Sequence, residues 1–346
     1  MATLKDVAAL AGVSMSTAGA AMRGEDIVKP ATKEKVLAAA RELGYSANLS
    51  ARFLKKGSTG AIAVMVPDIL HPYYTNLVSA VCSAASKHGL RTVIQQTGYN
   101  STTETSVLKQ INATLCDGLI LNVNNVDDQH LRGMLGNHPT VLLNYPADVP
   151  LFDTVRGPAG SSASTAFGYL CGRGYRHACV VGGRPARAEN SDTSGRDDGI
   201  RAVMDALIGN GLGETGDFVE CNWSVAGGIE AAHALCAAGD DGARPVDRYD
   251  VFYCMNDLIA YGLIRGLHEE GVRVPDDKAV FGHDGIFNSG VLEPFTVPTL
   301  TTVGVDYADM ATKAVDLLID QIKHPGKQRA PRIETARGRL IVGESA

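Results

Sequence analysis

LKDVAALAGVSMSTAGAAMRG, residues 4–24, sets two short helical patterns around a glycine turn. Thr3 can cap a first helix over Leu4–Ala11, in which Leu4, Val7, Ala8 and Ala11 keep the i, i+3, i+4, i+7 spacing of one buried face. Gly12 stops that helix, Val13 and Ser14 form the turn, and Ser14 caps a second helix. A third is expected from about Lys33 to Leu43, opened by Pro30 and Thr32 and closed by Gly44. Three short helices, the first two joined by a tight turn, predict an all-α helix-turn-helix domain over residues 1–45.

Charge sets this segment apart from the rest. Residues 1–60 carry nine Lys and Arg against five Asp and Glu, a balance of +4, so the remainder carries −10 within a total of −6. A basic head on an acidic body points to a polyanion-binding module joined to a part with another task. With 346 residues, 45% hydrophobic and 20% charged, the chain is long enough for two or three structural units of ordinary globular composition.

Several chemistries are absent from the sequence. The seven cysteines form no CxxC pair, and the nine histidines no HExxH, so no metal site is expected. GLGETG, residues 211–216, fits a dinucleotide pattern by letter, but it follows a helical stretch, where backbone amides have no reason to converge on a pyrophosphate. KKGSTG has the wrong order for a phosphate loop and no GxSxG elbow occurs, so neither a cofactor nor an enzyme is expected. No apolar run approaches the ~18 residues of a membrane span, and the N-terminus has no apolar signal region. A cytoplasmic protein with reduced thiols and no membrane partner is the expectation.

From Gly60 onward the pattern alternates. AIAVMVPD (61–68) is a continuous apolar run of the buried parallel-strand kind, followed by the amphipathic YTNLVSAVCSAASKHG (74–89). Strand-like LRTVIQQT, GLILNV, TVLLNY, HACVVGG, DFVEC, DVFYCM and KAVFGHD recur, with helices expected over 103–115, 161–172, 197–208, 225–238 and 256–269. That alternation predicts parallel sheets covered on both faces, too many units for one sheet and therefore two α/β lobes. Ligands of such sheets sit beyond the carboxyl ends of the strands. Polar and aromatic residues recur there: Asp68 and His71–Tyr74, Asn122, Asn144 and Tyr145, Asn222 and Trp223, Asn256 and Asp257, and Asp284. Any one of them could be a helix cap, Asn256 above all, and Trp223 could be half-buried core; the recurrence at equivalent positions points to a site for a small polar ring compound.

LKDVAALAGVSMST, followed by RELGYSANLSARFLKKGSTGAIAVMVPD, resembles the start of the LacI/GalR family of bacterial transcription regulators, and the match in order and type runs through the whole chain. The resemblance implies a helix-turn-helix followed by a two-lobed periplasmic-binding-protein-like (type I) domain, and a homodimer open to higher assembly. It places Met15 and Ser16 on base edges of double-stranded operator DNA and Thr3, Ser14 and Thr17 on phosphates. It also implies a hinge helix within residues 46–58, where Asn48 and Arg52 would meet DNA and Leu54 would wedge into a minor-groove step. The family's usual Ser-Arg pair is Gly19-Ala20 here, so a bidentate guanine contact is missing. Effector contacts map onto Tyr73, Tyr74, Asn122, Asn144, Tyr145, Arg196, Trp223, Asn256 and Asp284; where related proteins often carry a second carboxylate, this chain has Gly285.

The implied body spans residues 59–346, one lobe holding about 59–157 and 289–320, the other about 158–288 and 321–346. The aromatic, amide, arginine and carboxylate set favours a sugar or sugar derivative. Function then reads as an effector-responsive DNA-binding repressor; the alternative is a sugar-binding sensor with a degenerate DNA-binding module.

Overall fold

The computed structural model describes residues 2–45, 58–111, 116–183, 194–286, 298–326 and 329–346. It divides into two units, Met1–Thr59 and Gly60–Ala346.

In the head, helix α1 (Leu4–Ala11) starts with a reciprocal capping box between Thr3 and Asp6 and ends at Gly12, whose φ of 66° is the left-handed conformation that favours glycine. Helix α2 (Met15–Met22) is capped by Ser14. Helix α3 (Pro30–Glu42) begins three residues before the apolar pattern does, because proline fits the first helical position without giving up a needed N–H. Val7, Ala8, Ala18, Ala20, Ala21, Val28, Val36, Ala39 and Ala40 form one small core. Alanine at so many packing positions lets three short helices approach closely.

The body holds two six-stranded sheets among the described residues. The first takes β1 (Ala61–Val66), β2 (Arg91–Gln96), β3 (Gly118–Leu121), β4 (Thr140–Leu143), β5 (Asp153–Arg156) and, late in the chain, β11 (Ile333–Thr335). Their order is β11-β5-β4-β3-β1-β2, all parallel. Ile62, Val64 and Val66 pack with Leu77 and Val81 of α4 (Pro72–Lys87) and Leu318 of α11 (Tyr307–Lys323). Ala63 and Met65 face the other way, toward Leu108 of α5 (Ser101–Gln110) and Leu131 and Leu135 of α6 (Asp128–Leu135). Burial on both faces is why β1 reads as an unbroken apolar run.

The second sheet takes β6 (Ala178–Gly182), β7 (Phe218–Glu220), β8 (Val251–Cys254), β9 (Ala279–Asp284), β10 (Thr301–Val305) and β12 (Gly338–Ile341), ordered β12-β10-β9-β8-β6-β7. Only β12 runs antiparallel, against β10. Its helices are α7 (Ala159–Arg173), α8 (Ser194–Gly209), α9 (Val225–Cys236) and α10 (Asp257–Glu269). Phe167, Tyr253 and Phe281 stack through this core at centroid separations of 5.0 and 5.7 Å.

The expected division of the last segment needs correction. Residues 289–320 do not stay with the first lobe: Thr301 of β10 pairs with Phe281 of β9 in the second sheet. Residues 321–346 do not stay with the second, since Ile333 of β11 pairs with Thr154 of β5 in the first. Ladder hydrogen bonding decides each strand's place: β10 and β12 join the second lobe, while α11 and β11 between them belong to the first. Strand β5 and helix α6, which the apolar pattern does not announce, complete the first lobe. Among the described residues no helix is long and apolar enough to cross a membrane.

Candidate functional site

The head exposes one face of α2. Met15 is 54% exposed and Ser16 lies beside it on the surface, while Ala18 and Ala21 are sealed in the core. Ser14 Oγ accepts from Thr17 N at 3.1 Å and is hydrogen-bonded to Ser16 Oγ and Thr17 Oγ1, each at 2.8 Å. Three hydroxyls are thus gathered at the start of α2, where helix amides also point outward. Thr3 caps α1 as expected: its Oγ1 donates to Asp6 Oδ2 at 2.8 Å inside the capping box. Thr3's backbone N–H and then its hydroxyl hold the Asp6 carboxyl below the usual carboxylate range.

Small residues on α2 serve two purposes. Ala20, where the expected arginine is missing, is 4% exposed and belongs to the core. A Cβ on Gly19 would instead lie 3.1 Å from Nη1 of Arg23, which reaches back over the glycine and donates to Glu25 Oε1 at 2.5 Å. Asn48, Arg52 and Leu54, and with them the expected hinge, lie outside the described residues.

In the body, a polar and aromatic chain links the two lobes. Tyr73, at the start of α4, packs edge-on against Tyr74 at 5.1 Å and Tyr307 at 5.5 Å. Asn144 Nδ2 donates to Tyr73 OH at 2.7 Å, and Asn144 Oδ1 accepts from Gly157 N at 2.8 Å. Asn144 has φ 53°, tolerated by asparagine in the left-handed region. Tyr307 OH donates to Asp284 O in the second lobe at 3.1 Å, and Asn76 Nδ2 donates to Ile286 O at 2.8 Å. Burial pushes the hydroxyl pKa values of Tyr73 and Tyr307 upward, keeping both phenols neutral.

Four other predicted contacts follow strands β3, β4, β7 and β8. Asn122 is buried at the end of β3, donating to Leu143 O at 3.2 Å, and Tyr145 is buried after β4. Trp223 is half-buried against the second-lobe core, its indole N–H donating to Gly183 O. Asn256 is a helix cap: its Oδ1 accepts from Ile259 N at 2.8 Å, and it is 3% exposed. Arg196 lies on α8, with its side chain outside the described set.

Two buried carboxylates hold loops of the body. Glu104, 0% exposed, accepts from Asn124 N, Asn125 N and Asn125 Nδ2 at 3.1 to 3.2 Å, fixing the loop after β3. Asp257 accepts from Thr302 Oγ1 at 2.7 Å and Ile286 N at 2.8 Å, holding the loop that follows β9. Burial raises its pKa to about 7. The half-buried carboxyl of Asp284 is raised well above its usual range, by burial first and by Asp257 second. Close approach explains two glycines: a Cβ on Gly282 would meet Asp257 Oδ1 at 2.2 Å, and one on Gly285, at φ 64°, would meet Gly304 Cα at 2.8 Å. A second carboxylate at position 285 therefore has no room.

A cavity of about 680 Å³ opens elsewhere, at the amino-terminal ends of β4 and β5, lined by Arg132, His138, Asp153, Asp320 and Arg329 among others. It includes none of the predicted effector contacts. Asp153 there is paired with Arg329 at 2.8 Å and Arg332 at 2.9 Å. Both arginines also pair with Asp320, which ties the end of α11 to β5.

Comparison with known proteins matches residues 3–48 to the bacterial regulatory proteins of the lacI family and residues 167–346 to the periplasmic binding protein-like domain. The HTH-type transcriptional repressor PurR of Photobacterium profundum is 28% identical over 348 residues, covering 100% of this chain and 98% of that protein. The crystal structure of the lac repressor dimer bound to operator and an anti-inducer covers 99% of this chain and 98% of its own, at 22% identity and TM-score 0.78. A complex of the transcriptional regulator CelR with cellobiose covers 100% of both chains, at 24% identity and TM-score 0.67.

Proposed function

Because the chain belongs to the LacI/GalR family of bacterial regulatory proteins, we propose that it is a dimeric repressor whose hold on operator DNA is set by a small molecule bound between the body's two lobes. The observation that carries this reading is the polar chain across the body: Tyr73, Tyr307 and Asp284 connect one lobe to the other at the place where ligand contacts are expected. A ligand inserted there makes different contacts in open and closed arrangements, and that difference is what shifts a two-state equilibrium.

In the head, Thr3, Ser14 and Thr17 dock phosphates, Ser16 meets a base edge, and Met15 offers an apolar contact for a thymine methyl. Residues 46–58 form the hinge, with Asn48 and Arg52 on DNA and Leu54 as the wedge. Leu54→Ala is expected to weaken specific binding more than non-specific binding, read from competition titrations with genomic-type DNA.

The effector is a sugar or sugar derivative. Aromatic edges beside amides and a carboxyl group suit a ring that carries hydroxyls and C–H faces, and the cellobiose complex of a protein with the same fold adds support. Selection of random duplexes by the purified full chain, with and without panels of sugars and nucleobases, tests all parts. An enriched palindrome whose retention changes with a sugar is expected. No enriched motif at moderate salt removes the repressor in favour of a sugar-binding sensor, and a response to nucleobases alone replaces the effector class.

A further inference from the structure

We infer that Arg23 supplies the base-reading cation that α2 lacks at Ala20, contacting a guanine edge in the major groove from the far end of the helix. This rests on the DNA-binding reading proposed above. At about 100° per residue, Met15, Gly19 and Ser16 of α2 and Arg23, which caps its carboxyl end, fall within one arc of about 100°. Met15, Ser16 and Arg23 are exposed on that arc and Gly19 between them is buried, while Ala18 and Ala21 face the core. Arg23 is the sole cation in residues 14–24.

A long side chain on a helix leans toward the N-terminal end. That of Arg23 does so here, and its guanidinium lies over Gly19, 3.1 Å from the position a Cβ would take. The missing side chain at Gly19 leaves room for the guanidinium to lie close against the helix. An arginine at position 20 would have to leave the core that Ala20 occupies; Arg23 reaches the same face without disturbing the packing. Glu25 holds the guanidinium in an ion pair at 2.5 Å, with the two side chains 46% and 40% exposed. So exposed a pair holds its partner weakly, and a guanine presenting O6 and N7 can compete for the fork of donors.

The test compares full-length wild type, Arg23→Ala, Arg23→Lys and Gly19→Ala on the duplex enriched by wild type and on its single-base variants. Arg23→Ala is expected to lose about tenfold or more in affinity for the enriched duplex and to stop discriminating at one G·C pair, with other positions unchanged. Arg23→Lys keeps the charge but lacks the fork, so it should lose the same discrimination. Gly19→Ala makes the guanidinium give by a few tenths of an ångström while favouring the helix intrinsically, so reduced discrimination with an unchanged thermal midpoint is expected there. A uniform loss across all sequences with a shallower salt dependence would make Arg23 a phosphate contact and overturn the inference, as would an unchanged profile. If wild type enriches no duplex, the repressor reading itself fails and this inference falls with it.

Discussion

A carboxyl group enclosed as fully as that of Asp257 is costly to ionise, and its pKa of about 7 compares with 3.8 for the free group. Between those values the native state keeps a proton that the unfolded chain releases, so this group's contribution to stability is complete below about pH 4 and falls as pH rises toward 7. Asp257→Asn has no such titration. Measured by denaturant unfolding, the stability difference between wild type and this variant should shift against wild type by on the order of 3 kcal/mol from pH 4 to pH 8; a difference that does not move with pH would refute the assignment. Glu104 fixes a loop in the first lobe by the donors it gathers. Glu104→Ala would strand the donors of Asn124 and Asn125 and is expected to cost about 3 kcal/mol in urea unfolding, with Glu104→Gln milder. The role of Glu104 was not legible, since a lone acidic residue on an amphipathic helix reads as solvated, and Asp257 was legible only as a polar residue at a strand end. The cap role of Asn256 was visible as an alternative, because asparagine before an apolar helical pattern is itself a start signal.

Elements were legible where local chemistry decides them. Thr3, Gly12 and Ser14 bound α1 and α2 as the sequence predicts, because capping needs only neighbours a few residues away. Ser14→Ala should therefore destabilise α2 by about 1 kcal/mol, read as a several-fold loss of amide exchange protection confined to residues 15–22; unchanged protection would count against the cap. Strand β5, Asp-Thr-Val-Arg, was not legible, since its burial comes from neighbours on both sides and not from a run of apolar residues. The same holds for β10, β11 and β12, whose sequences carry no label for one sheet or the other. The run of small residues in α2 was visible, but its cause, packing of Ala18, Ala20 and Ala21 against α1 and α3, required the three-dimensional arrangement.

At the scale of the whole molecule, two side chains from the first lobe, Tyr307 and Asn76, bond to backbone oxygens of Asp284 and Ile286 in the second. Tyr307→Phe removes one of these bonds and leaves the ring contact with Tyr73 in place. A hydrogen bond of this kind is worth about 1 kcal/mol, so the ligand concentration that gives half-maximal change in operator binding should move several-fold in titrations of the full chain. An unchanged midpoint would mean that the contact does not differ between the two arrangements. The two-lobed architecture was legible from the strand–helix alternation, whereas which lobe receives each late strand was not, because that depends on pairing between segments as distant as Thr154 and Ile333.

The interleaving of β11 and β12 also bears on synthesis. The head is one contiguous stretch whose core draws on nothing beyond Tyr45 among the described residues, so it can fold while the ribosome is still translating the body. Both sheets, in contrast, keep an unpaired edge, along β5 in one and β10 in the other, until residues as late as Ile341 have emerged. A nascent chain stalled before Ile333 would thus present a finished DNA-docking module attached to two open strand edges. Premature termination in this region would damage both lobes at once.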